Sequence, residues 1–106
     1  MIIYDDIQFL EFFDTKNCLD KEAGIMEYAV SDYNNVALNI YLNIYEDTVC
    51  FNLTLNNSVD ITSFALYNIS LIKFDKDKVN RVKCLFFQKD KEAPVVTASI
   101  KPTICV

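Results

Sequence analysis

The chain has 106 residues, 52% of them hydrophobic and 13% aromatic, with 15 acids against 10 bases and a formal net charge of -5. This length and apolar content exclude a disordered chain and predict a single domain over residues 1–106. No apolar run approaches the roughly 18 residues of a membrane span, and the acidic start MIIYDDIQFLEFFD lacks a signal peptide's basic n-region, so the sequence reads as soluble, cytoplasmic and free of the membrane.

Asp5 precedes Ile7, Phe9, Leu10, Phe12 and Phe13, with Gln8 three positions on, the pattern of a capped helix with a broad apolar stripe. Asp5 and Asp6 suit the positive end of such a helix, and a bent edge strand is the competing reading of the aromatic cluster. Asp14 to Gly24 reads as a polar connection. Ile25 to Ser31 predicts a strand with Met26, Tyr28 and Val30 on one face, closed by a turn over Asp32 to Asn35.

From Val36 to Asn56 apolar and polar residues alternate through two runs, Leu38, Ile40, Leu42 and Ile44, then Val49, Phe51, Leu53 and Leu55. A period of two means strands with one buried face. A hairpin centred on Glu46-Asp47, with its loop at Tyr45 to Thr48, sets Ile44 opposite Val49, Leu42 opposite Phe51, Ile40 opposite Leu53 and Leu38 opposite Leu55. Pairing Met26, Tyr28 and Val30 with Leu42, Ile40 and Leu38 requires an odd loop or a bulge.

Asn57 to Thr62 reads as a connector, and Ser63 to Phe74 as one long strand or two broken near Asn68. A loop Asp75 to Lys78 then sets Leu71 opposite Val82, Ile69 opposite Cys84 and Tyr67 opposite Phe86 as a buried set. Phe74, Ile72 and Ser70 meet Val79, Arg81 and Lys83 on a mixed face. Gln88 to Pro94 is a charged loop, and Val95 to Lys101 is a last strand stopped by Pro102. The fold class is therefore α+β, a short N-terminal helix packed on an antiparallel β-meander of about six strands, with a small all-β barrel or sandwich as the alternative.

The chemistry is sparse. With no histidine, a Ser-His or Cys-His nucleophile system is excluded, and one glycine rules out a Gly-rich phosphate loop. Cys18, Cys50, Cys84 and Cys105 form no CxxC pair, so neither a metal site nor a cofactor is expected, and Cys50 and Cys84 read as reduced strand residues, buried or half-buried. The paired acids Asp5-Asp6 and Glu46-Asp47 are accounted for by a helix first turn and a hairpin tip. The chain reads as non-enzymatic.

Charge is divided along the chain: residues 1–72 hold 11 acids and 2 bases, residues 73–106 hold 4 acids and 8 bases. Lys76, Lys78, Arg81 and Lys83 are interleaved with Asp75 and Asp77, which suits a solvated loop better than a nucleic-acid patch. The acidic part suits docking on a basic, nucleic-acid-handling enzyme.

The polar parity of the alternating stretch carries Asn39, Tyr41, Asn43, Tyr45, Asn52 and Thr54, with Asn56 at its end and almost no charge. Tyr supplies rigid contact area and Asn adaptable hydrogen bonds, so these six residues are the candidate partner-binding set. Coding bias toward Asn and Tyr, cover by the segment 14–24, or plain exposure would produce the same composition. That bias suits AT-rich genes such as those of phages, viruses and low-GC bacteria.

Together these features predict a small protein-binding module, an inhibitor or immunity-type protein of the kind phages and mobile elements carry, acting by surface contact with a larger protein. The alternative is a homo-oligomeric structural or assembly protein that self-associates through its sheet. A nucleic-acid-binding accessory role ranks behind both.

Overall fold

The computed structural model describes residues 1–56, 58–77, 79 and 81–106. It contains one short helix and eight strands in two antiparallel sheets, so the fold is mostly β. Helix α1 (Asp6–Phe12) is followed by β1 (Thr15–Asp20), β2 (Ile25–Ser31), β3 (Val36–Asn43), β4 (Thr48–Leu55) and β5 (Val59–Leu66), which form one sheet in that order. Strands β6 (Ile69–Lys76), β7 (Val82–Gln88) and β8 (Val96–Lys101) form the second. The helix-plus-meander description fits, but two strands exceed it. β1 lies inside the expected polar connection; its six residues are all exposed, so it lacks the half-buried alternation by which a strand is recognised. β5 begins inside the expected connector, whose first residue, Asn57, lies outside the described residues, as does Lys78 of the second loop.

Asp5 caps α1 through Oδ1, which accepts from the Ile7 and Gln8 amides at 2.9 and 3.4 Å. Seven residues cannot hold a helix in water by themselves, so burial of Phe9, Phe12 and Phe13 against the sheets fixes it. The stripe is narrower than the sequence suggests. Ile7 and Leu10 are 76% and 52% exposed, because only the 9, 12, 13 face of so short a helix reaches the core.

The first hairpin keeps the expected parity with a register two residues displaced: Leu42 faces Val49, Ile40 faces Phe51, Leu38 faces Leu53 and Val36 faces Leu55. Its loop is Ile44 to Asp47 rather than Tyr45 to Thr48. Ile44 is withdrawn from the ladder by other partners, its N–H donating to the Gly24 carbonyl at 2.9 Å and its carbonyl accepting from Ile2 at 3.0 Å, and Asp47 closes the turn at φ 58. The β2–β3 pairing is the one that needed an odd loop: Met26, Tyr28 and Val30 face Leu42, Ile40 and Leu38, across the five residues Asp32 to Val36. Asp32 makes that loop workable, accepting the Asn34 and Val36 amides on Oδ1 and the distant Ile104 amide on Oδ2.

The second hairpin corrects the sequence reading more sharply. Ile72 faces Phe86, Phe74 faces Cys84 and Lys76 faces Val82, so Ile72 is buried and Phe74 packs on the core, while Leu71 lies on the opposite parity. β6 runs on to Lys76 because Asp77, not Asp75, organises the loop, its carboxylate accepting from the Val79 and Arg81 amides at 3.0 Å each. A register shift between Ile69 and Leu71 returns Ile69 to the interior. The break near Asn68 is present, with Asn68 at φ 62 where the chain leaves the first sheet for the second.

The two sheets share one apolar core. Tyr28, Leu38, Ile40, Leu42, Val49 and Phe51 meet Ile69, Ile72, Val82, Cys84, Phe86 and Ile100, and Phe51 and Phe86 form an edge-to-face pair at 4.9 Å. The N-terminal segment joins the sheets: Ile2 donates to Ile44, Ile3 donates to Ser70 at 2.9 Å, and Ile3 accepts from Ile72 at 3.0 Å.

Tyr28 is fully buried, its ring stacked on Phe9 at 4.3 Å and its hydroxyl donating to the Asp6 carboxylate. Asp6 also accepts from Lys16 Nζ at 2.9 Å. The Tyr28 hydrogen bond, followed by the contact with Lys16, holds the Asp6 carboxyl below its ordinary range against the opposing effect of burial. Burial, then Asp6, pushes the Tyr28 hydroxyl far above its ordinary 10.0. A depressed carboxyl stabilises the fold above its unfolded pKa and loses that contribution as pH falls through the folded one. A raised phenol stabilises it below the unfolded pKa and loses the contribution as pH rises, since the unfolded chain ionises first. Thermal melting should therefore fall below about pH 4 and again above about pH 10. Tyr28→Phe should flatten the alkaline fall; an alkaline limb identical to wild type would contradict this assignment.

Candidate functional site

The outer face of the five-stranded sheet carries the sequence-predicted residues. Residues directly opposite in an antiparallel ladder share a face. Asn39 lies opposite Asn52, Tyr41 opposite Cys50, Asn43 opposite Thr48 and Thr54 opposite Ala37. Asn39, Tyr41, Asn43, Asn52 and Thr54 are all half-buried. The sixth, Tyr45, sits in the β3–β4 turn at the end of this face and is 60% exposed. Its ring rests on Gly24, where φ is +68 and an added Cβ would come within 2.8 Å of the ring, so the chain's one glycine is required both by its backbone and by the tyrosine above it.

The face is not uncharged. Glu27, on β2, lies opposite Tyr41 on one side and Asn17 of β1 on the other. Its Oε1 accepts from Asn17 Nδ2 at 3.0 Å and its Oε2 from Asn39 Nδ2 at 3.2 Å. Asn17, then the Tyr41 hydroxyl and Asn39, hold the Glu27 carboxyl below its ordinary range against partial burial, and the hydrogen bond with Glu27 in turn pushes the Tyr41 hydroxyl above its ordinary value. The result is a fixed anionic acceptor at the centre of an Asn/Tyr array. Parity alone could have found Glu27, since Met26, Tyr28 and Val30 point inward; Asn17 was hidden because β1 carries no periodic signal. Cys50 is exposed, whereas Cys84 is buried as expected and its thiol is pushed up by that burial. β1 extends the face rather than covering it.

The charge division of the sequence becomes a division between sheets. Residues 14–66, which build the larger sheet and its loops, hold 8 acids and 2 bases; residues 67–106 hold 4 acids and 8 bases. On the smaller sheet Arg81 pairs with Asp77 at 2.7 Å and Lys83 stands opposite Asp75, so part of the basic cluster is neutralised. A hollow of about 770 Å³ lies between the start of α1 and β6, with Ile3, Ile7, Leu71 and Phe74 among its apolar lining and Asp5, Asp6 and Lys73 among its polar lining. Its acids are engaged, Asp5 as the helix cap and Asp6 with Tyr28 and Lys16. Among the described residues no group of three or more His, Cys, Asp or Glu is placed to hold a metal ion, and no helix is long and apolar enough to cross a membrane.

No family model matches the sequence, and no curated relative does. The fold is similar to a chain of a solved contact-dependent growth inhibition toxin–immunity protein complex from Klebsiella pneumoniae 342, with a TM-score of 0.72 over 96% of this chain and 90% of that one, at 13% identity.

Proposed function

We propose that this chain is the immunity-type member of a toxin–immunity pair, a non-enzymatic protein that blocks a larger toxic protein by surface contact. The observation that carries the reading is the likeness, over nearly the whole of both chains, to a component of a complex made of a toxin and its immunity protein. The chemistry favours the immunity half, since the sequence has no histidine and no phosphate-binding loop with which to act on a substrate.

The contact surface in this proposal is the outer face of the larger sheet, with Asn39, Tyr41, Asn43, Tyr45, Asn52 and Thr54 around Glu27. A pre-oriented carboxylate on an acidic sheet suits a partner whose contact region is basic, as the substrate cleft of a nucleic-acid-cleaving toxin is. The test begins with capture of partners on the immobilised chain from its source cells, followed by expression of the captured protein alone and together with this chain. Growth arrest by the partner, relieved by co-expression, is the expected result; a captured partner that leaves growth unaffected would overturn the immunity reading.

A further inference from the structure

Strand β1 adds nothing to the core: all six of its residues are exposed, and none packs on the buried cluster. Ordering a strand costs backbone freedom that apolar burial does not offset here, so the side chains it touches are informative. Its ladder to β2 places Lys16 opposite Tyr28 and Asn17 opposite Glu27. Successive strand residues point to opposite faces. Lys16 accordingly joins the Tyr28–Asp6 pair on the core side, 2.9 Å from Asp6, while Asn17 on the outer face donates its amide to Glu27 Oε1 at 3.0 Å.

Glu27 is therefore held from both neighbouring strands, since Asn39 of β3 donates to its Oε2 at 3.2 Å. A carboxylate only accepts, so both amides must turn their N–H groups to it. Asn39 belongs to the proposed contact surface in its own right. Asn17 stands at its margin, on the edge strand of the sheet.

We propose that Asn17 is a positioning residue of that surface: from the edge strand it holds the Glu27 carboxylate in the orientation that receives a cationic side chain of the partner. The inference rests on the contact surface proposed above. A glutamate side chain that is already held loses less freedom when the partner arrives. The hydrogen bond leaves the charge of Glu27 in place, so Asn17 acts on how long the complex lasts and not on how fast it forms. Lys16 secures the arrangement from the other face. A strand with polar residues on both faces has no apolar alternation to fix its register, and a slip of one residue would point Asn17 away from Glu27.

In the free chain, carbon-13 NMR titration should find Glu27 ionising below the ordinary carboxyl range, and Asn17→Ala should raise it with an unchanged circular dichroism spectrum. A Glu27 titration that Asn17→Ala leaves unmoved would overturn the proposal. With the captured partner, Asn17→Ala should weaken binding about fivefold, through faster dissociation at an unchanged association rate, and should cause no further loss when combined with Glu27→Ala. Additive losses in the double variant would mean that Asn17 meets the partner itself, and an Asn17→Ala complex as tight as wild type would mean that the hold has no consequence for binding; either result overturns the positioning role. Unchanged affinity of Glu27→Ala would instead reject the contact surface, and this inference with it. The immunity reading is decided separately, by growth.

Discussion

Phe9→Ala is expected to lower the free energy of unfolding by about 3–5 kcal/mol, a large part of the stability of a domain this size. Phe9 is fully buried and stands where three elements meet. It stacks on Tyr28 of β2 at 4.3 Å, lies edge-on to Phe74 of β6 at 4.9 Å, and contacts Tyr4 and Phe13 at 5.6 and 5.2 Å. Truncation would open a cavity between the two sheets and release the helix, because so short a helix has no stability of its own to retain. Leu10→Ala, one position along and half-exposed, is expected to cost under about 1 kcal/mol. Urea unfolding of the two variants against wild type checks the contrast. Equal effects would mean that α1 is not anchored through Phe9.

These positions also show how far the sequence could be read. A period of two located β2, β3 and β4 because each has one face in the core, and parity survived even where the loop was misplaced by one residue and the register by two. The second hairpin failed because its register was set by a single loop carboxylate. With apolar residues on both parities of β6, moving the turn from Asp75 to Asp77 changed which of Leu71 and Ile72 went inside. β1 and most of β5 were illegible for a different reason, since edge strands exposed on both faces carry no alternation to detect. The same loss concealed Asn17 of the candidate site. Asn39, Tyr41 and Asn52 were visible as the polar parity of a clear hairpin, but their relation to Glu27 and Asn17 depends on strand order, which no local pattern encodes.

Tyr41→Ala is expected to weaken partner binding by about 2 kcal/mol, roughly 30-fold, while leaving the fold in place. Tyr41 is the large side chain at the middle of the outer face, adjoining Glu27 on β2 and Cys50 on β4, and its ring is half-buried among Asn side chains rather than in the core. An aromatic ring held in one orientation by its neighbours loses little freedom on binding, the property that makes tyrosine frequent at the centres of interfaces. Glu27→Gln tests the electrostatic half of the same surface. It nearly preserves the shape and removes the charge, so against a basic partner it should slow association and reduce its dependence on salt. Lys83→Ala, on the opposite sheet, should leave binding unchanged.

The central claim is that the outer face of the five-stranded sheet is the surface this protein uses. It is tested most directly by titration calorimetry of the captured partner against wild type and Tyr41→Ala, both verified as folded by thermal melting. The account predicts an affinity loss of about 30-fold for the variant at an unchanged melting temperature. Equal affinity of the two chains would contradict it and move the contact surface elsewhere on the molecule.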